Sequence, residues 1–346
     1  MHRICGSLSA AGYDVTLIGR KRKSSLPLQE KKFRQHRIPC WFDKGKRFYL
    51  EYNIRLFFYL LRKRMDAVCA IDLDTILPCL YISKLKKIPR VYDAHELFTE
   101  LKEVISRPYV HQFWLGVEQK AVPKFKWGYT VSESIAEEFH RRYNVEYRAI
   151  RNVPVLQMDV SPVATEKTIV YVGAVNEARG FEYLIPAMQW INAKLLICGD
   201  GNFMGKLKVL ISEFNLENKV ELFGMLAPER LREMAKTTYI GVAVPEKEGL
   251  NQYLALPNKF FDYIHAGLPQ VTVDYPEYRK LNKKWEVAVL ISDLAPKRIA
   301  AALNNLLDDT VLYERLRQNC LKARESLNWQ EEEKKLIAFY QTLFDA

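Results

Sequence analysis

The chain has 346 residues, long enough for two ordinary domains, each with its own core. Hydrophobic residues make up 49% and charged residues 27%, the balance of a soluble globular protein, and the net charge is +11. No apolar run reaches the roughly 18 residues that a membrane span requires. The opening MHRICGSLSAAG lacks the long apolar core of a signal peptide. Six scattered cysteines without a C-x-x-C pair argue against a disulfide framework or a zinc site and fit a reducing cytosol.

A helical segment at 2–11 and a strand at 14–19 open the chain, and a strongly basic segment follows. Between positions 20 and 64 fifteen Lys and Arg face Glu30, Asp43 and Glu51, so this segment alone carries +12 and the remainder is close to neutral. Phe33, Trp41, Phe42, Phe48, Tyr49, Phe57, Phe58 and Tyr59 are interleaved with those cations. The pattern suits an anionic membrane surface, a lipid-linked phosphate or nucleic acid, and equally a solvated face over a few core aromatics. Apolar spacing then predicts helices at 50–63, 76–86, 110–122 and 133–143. Between them come strands at 67–71, 90–92, 128–131 and 147–150.

The Pro-containing stretch 152–166 reads as a linker. Beyond it the rhythm repeats, with strands at 168–172, 194–198, 219–223, 240–244, 270–273 and 287–291. Helices are expected at 181–191, 203–214, 227–236, 258–265, 296–307, 312–326 and 329–344. Strands alternating with helices imply α/β units with parallel sheets. Two Rossmann-like domains facing a cleft is the economical architecture, with ligands at the carboxyl ends of the strands.

Three stretches carry chemistry. VYVGAVNEARG joins a strand, a glycine turn at Gly173 and a helix start with Arg179 at its mouth, a setting that favours a phosphate. LLICGDGN ends a strand in Gly199 and Gly201, but the next glycine, Gly205, falls one residue from the dinucleotide fingerprint. In PNKFFDYIHAGLP, Pro257 sets a helix start, so free N–H groups near Asn258 and Lys259 can meet a diphosphate beside the lysine charge. One turn on, Asp262 is placed to accept from ribose hydroxyls. AIDLDT contains a D-x-D that could hold a metal, although Asp74 is more simply a helix N-cap there.

The order of glycine turn, strand-GDG, F-G-M-L-x-x-E and PNKFFDY-x-x-AGLP resembles the retaining GT-B enzymes of glycosyltransferase family 4, over nearly the whole chain. The resemblance implies an α/β GT-B architecture: an acceptor-side domain at 1–151, a nucleotide-sugar domain at 152–328 and a helix at 329–346 crossing back to the first domain. It implies that Arg179 and Lys259 meet the donor pyrophosphate, that Asp262 holds the ribose, and that Phe223 and Met225 frame the base. EKEG resembles the family's E-x-F-G, making Glu246, Glu248 and Asn251 candidates for the sugar hydroxyls. Two departures stand out: Leu254 where a glutamate is usual, eight positions before Asp262, and Ala174 where many relatives have arginine. RVYDAHELFTE resembles the family's D-x-H segment, implying that His95 acts near the anomeric carbon with Asp93 and Glu96 alongside. The first domain would lack the family's usual first strand and its glycine-rich loop, so either the natural start lies upstream or the first sheet is incomplete.

The expected activity is retaining transfer from a UDP- or GDP-sugar to a glycan or lipid-linked acceptor in cell-surface polysaccharide biosynthesis. No metal or other cofactor is implied, because cations and helix N-termini stabilise the leaving diphosphate. The expected place is the cytoplasm, with peripheral attachment to the inner face of the cytoplasmic membrane through 20–64 and no nucleic-acid partner. An inactive transferase-like binding protein and a nicotinamide oxidoreductase are the rival readings.

Overall fold

The computed structural model describes residues 1–157 and 166–345. Most of the linker reading at 152–166 therefore lies outside the described residues. The chain divides into two compact units, Met1–Arg151 with Glu331–Ala346, and Asn152–Gln330.

The strands of the first unit, all parallel, fall into two sheets. β1 (Thr16–Lys21) pairs only with β2 (Arg34–Pro39), in register from Thr16 against Arg34 to Lys21 against Pro39. β3 (Val68–Ile71), β4 (Arg90–Ala94), β5 (Trp127–Thr130) and β6 (Arg148–Ala149) form a second sheet in chain order. β2 lies inside the basic segment, where no strand is expected from the pattern. Its residues RQHRIP bury only Ile38, so pairing with β1 rather than any alternation makes it a strand. The helix expected at 50–63 begins five residues earlier and runs Gly45–Leu61. It buries Tyr52, Leu56 and Leu60, while Asn53 Nδ2 donates to Asp74 O at 2.9 Å. From the carboxyl end of the chain, Phe339 meets Tyr129 edge-on at 5.3 Å and Tyr340 lies 6.2 Å from Tyr13.

The second unit holds one six-stranded parallel sheet. In chain order its strands are β7 (Thr168–Val172), β8 (Lys194–Cys198), β9 (Val220–Gly224), β10 (Ile240–Ala243), β11 (Gln270–Val273) and β12 (Ala288–Ile291). Their spatial order is β12-β11-β10-β7-β8-β9. β7, β10 and β11 are buried along their whole length, as strands covered on both faces must be. The order reverses between β7 and β10, and this reversal makes a topological switch point. Two helices escape the sequence pattern, Leu250–Leu254 and Pro276–Trp285. The second is mostly polar, burying only Glu277, Tyr278 and Leu281, so its apolar stripe is too sparse to read.

Candidate functional site

Within the second unit the candidate residues gather at the switch point. β10 pairs with β7 only through Ile240 against Ile169 and Gly241 against Val170, and beyond those pairs the two strands part. The hydroxyl of Tyr263 fills the opening. It accepts from Val172 N–H at 3.0 Å and lies 3.1 Å from Val170 O and 3.4 Å from Val242 O. Gly241 has to be glycine, because a Cβ there would sit 2.6 Å from the Tyr263 ring. One buried phenol thus satisfies backbone groups that the missing ladder would otherwise leave unbonded.

Tyr263 belongs to the helix Asn258–Ala266, which Pro257 caps. Phe260, Phe261, Tyr263 and Ile264 are buried on its inner face, each contributing roughly 1.5–3 kcal/mol before entropy costs. Gly267 ends the helix at φ 66°, and Leu268 N donates back to Tyr263 O at 2.9 Å, a Schellman closure. With the inner face so anchored, Asn258 and Asp262 are exposed on the opposite side. Asn258 Oδ1 accepts from Asn152 Nδ2 at 3.1 Å.

Lys259 turns back over the end of β7. Its Nζ stands 3.4 Å from the centre of the Tyr171 ring, and a Cβ on Gly173 would lie 3.2 Å from its Cε. Glycine at position 173 therefore leaves the lysine its path. Desolvation first, and the Arg179 charge second, hold the Lys259 ammonium well below the usual lysine pKa, against the pull of Asp262. Lys259 thus feels the Arg179 charge beside a helix N-terminus, a setting that favours an anion.

The loops around this point are knitted backbone to backbone. A Cβ on Gly180 would lie 2.0 Å from Val244 O, and one on Gly199 would lie 1.8 Å from Gly173 O. A Cβ on Gly201 would meet Val175 O at 2.3 Å. Gly199 and Gly201 thus serve the packing of the β8 loop against the β7 loop. Ala178 O accepts from Glu246 N at 3.2 Å and from Gln252 Nε2 at 2.6 Å, which ties the Arg179 loop to the EKEG loop. Glu248 and Asn251 lie on or beside that loop, both half-buried. Phe223 and Met225 are exposed at the carboxyl end of the edge strand β9, two strands away from β7. Leu254 is buried in the Leu250–Leu254 helix.

In the first unit His95 follows β4 directly. Its Nε2 lies 3.3 Å from Asp93 Oδ1 and 3.1 Å from Met1 Sδ, and its N–H donates to Asp72 Oδ1 at 2.9 Å. Burial would lower the His95 pKa, but the Asp93 hydrogen bond and the Asp93 and Asp72 charges outweigh it and raise the value. Asp93 Oδ2 is buried with no hydrogen-bond partner among the described residues. Glu96, half-buried, adds its charge to Asp72 and Asp74. Burial pushes Asp72 up to about 7, helped by Asp93, Glu96 and Asp74 and opposed by His95.

The N-cap reading of Asp74 is corrected. Thr75 precedes the Ile76–Lys86 helix without a side-chain cap, and Asp74 sits inside the short turn Leu73–Thr75. Asp72, at φ 53°, is the residue of the D-x-D that reaches His95. Among the described residues no group of three His, Cys, Asp or Glu is placed to hold a metal ion. Tyr263, Tyr171 and Asp72 were all within quoted motifs, yet no sequence signal gives their contacts.

The family model described as Glycosyltransferase Family 4 matches residues 1–154, and that described as Glycosyl transferases group 1 matches residues 157–323. The chain is similar to an uncharacterized glycosyltransferase, MJ1607, of Methanocaldococcus jannaschii, 26% identical over 181 residues, 51% of this chain and 45% of that one. It spans less than half the length of the curated relatives it matches. In fold it resembles sucrose-phosphate synthase from Thermosynechococcus elongatus, with a TM-score of 0.82 at 18% identity, covering 99% of this chain and 92% of that one. It also resembles WaaG, a glycosyltransferase involved in lipopolysaccharide biosynthesis, with a TM-score of 0.74 at 15% identity over 97% and 93% of the two chains. With the two family models meeting end to end across its length and a GT-B fold beneath them, the chain belongs to glycosyltransferase family 4.

Proposed function

We propose that the chain transfers a sugar from a UDP- or GDP-sugar to a glycan or lipid-linked acceptor, with retention at the anomeric carbon, in cell-surface polysaccharide biosynthesis. The observation that carries this reading is the Lys259 ammonium lodged over Tyr171 at the end of β7, within reach of the Arg179 charge and beside the start of the Asn258–Ala266 helix. The donor diphosphate binds there, and Asp262 takes the ribose. Phe223 and Met225 frame the base, and Glu246, Glu248 and Asn251 hold the sugar. As the bond between the anomeric carbon and the β-phosphate oxygen breaks, negative charge grows on the departing diphosphate, and these preorganised cations stabilise it. The acceptor hydroxyl attacks from the same face and passes its proton to a departing phosphate oxygen. His95, with Asp93 and Glu96, serves the acceptor side.

The test begins with calorimetry of UDP, GDP and ADP, then of their sugars, and ends with NMR of the product's anomeric configuration. One nucleoside diphosphate is expected to bind, and transfer to persist after chelation. Binding of a nicotinamide cofactor with no nucleoside diphosphate, or an inverted product, would overturn the reading. Replacing His95 by Ala should slow transfer at least a hundredfold while donor affinity stays the same.

A further inference from the structure

The Gly45–Leu61 helix has two apolar stripes where one would suffice for folding. Tyr52, Leu56 and Leu60 are buried against the domain. Leu50, Ile54, Phe58 and Leu61 are exposed at 65%, 48%, 48% and 37%. At 100° per residue those four fall within about 80° of arc, nearly opposite the buried three.

Beside this stripe stands Trp41, 85% exposed. Its position is built rather than loose. Both Glu51 carboxylate oxygens accept the Trp41 N–H at 2.9 Å, Glu51 Oε2 accepts Phe42 N–H at 3.0 Å, and the Arg55 guanidinium lies 4.6 Å over the indole. Cations surround the apolar patch: Lys46, Arg47 and Arg62 are exposed along the helix or at its end. They belong to the 20–64 segment that carries +12. An exposed apolar stripe rimmed by cations is the pattern of a helix lying in a lipid interface, and the charge selects an anionic one. No described helix is long and apolar enough to cross a membrane.

We propose that the Gly45–Leu61 helix docks in the plane of an anionic lipid bilayer, with Leu50, Ile54, Phe58 and Leu61 entering the headgroup region and Trp41 anchoring its edge. This deepens the lipid-linked acceptor of the proposed function and rests on it for its purpose.

The test is flotation of the full chain with vesicles of phosphatidylcholine containing about one third phosphatidylglycerol, against phosphatidylcholine alone, at low and high salt. Binding is expected to the anionic vesicles only and to fall with salt. The pair Leu50→Ser and Phe58→Ser should weaken it at least tenfold, and the pair Lys46→Ala and Arg47→Ala about 30-fold. All four side chains are exposed, so the variants should melt with the parent. If one melts lower, the lipid and salt dependence of the parent chain still decides. Equal binding to both vesicles, no flotation, or variants that bind like the parent would overturn the inference. So would self-association that the serine pair abolishes, or retention on RNA without retention on lipid. Nucleoside-diphosphate affinity measured without vesicles keeps the two readings apart: intact affinity with no flotation defeats the docking surface alone.

Discussion

Replacing Lys259 by Met tests the donor reading through two effects of opposite sign. In the free protein the ammonium is desolvated over Tyr171 and feels the Arg179 charge, and both depress its pKa. A base whose folded pKa lies below its unfolded value destabilises the fold below that folded pKa, and the cost fades as pH climbs toward the unfolded value near 10.5. Methionine keeps the apolar stem and removes the charge. The variant should therefore melt higher than the parent at pH 7, by about 2–4 °C for each kcal/mol relieved, and the gap should close toward pH 10. Binding should move the other way. A charge-assisted contact to phosphate contributes about 1.5–3 kcal/mol, so nucleoside diphosphate should bind roughly 10- to 150-fold more weakly. The diphosphate favours the charged lysine that burial and Arg179 disfavour, so proton uptake is expected to accompany its arrival. Calorimetry in buffers of different ionisation enthalpy reads that uptake directly, and it should vanish in the variant. Unchanged affinity together with a lower melting temperature would refute the reasoning and leave Lys259 a packing residue.

Tyr263→Phe removes the hydroxyl that closes the gap between β7 and β10, leaving Val172 N–H buried without its acceptor. Chemical denaturation should show a loss of about 1–3 kcal/mol, and a change below about 0.5 would mean that water replaces the phenol. Asp72→Asn tests the acidic cluster around His95. Because the folded Asp72 pKa of about 7 exceeds its ordinary value of 3.8, the stability linked to it is full at low pH and lost as pH rises through about 7. The variant should gain on the parent between pH 5 and pH 8, on the order of 2 kcal/mol by denaturant midpoint, and the His95 imidazole should titrate lower by NMR. Parallel stability curves would defeat that account.

Much of the fold was legible because burial on both faces writes short apolar runs between helical periods. The strands Thr168–Val172, Lys194–Cys198 and Gln270–Val273 and the helices Ile76–Lys86 and Glu133–Tyr143 coincide with the predicted bounds. The failures share a cause. β2 takes its conformation from its neighbour β1, and Pro276–Trp285 buries too few residues to print a period. The Gly45–Leu61 helix reads as one apolar segment, and only the structure separates its buried stripe from its exposed one.

The sequence by itself determined the α/β alternation, the family and the identities of the charged groups at each strand end, since these depend on local pattern and residue type. Tertiary structure alone decided which of those groups meet. Strand order, not sequence distance, sets the switch point, and it brings Gly173, Arg179 and Lys259 together across more than 80 residues of chain. It also gave Asp72 rather than Asp74 to His95, because a positive φ at the end of β3 turns that carboxylate toward the backbone after β4. Contacts between distant segments obey the geometry of the sheet, and no periodicity along the chain encodes them.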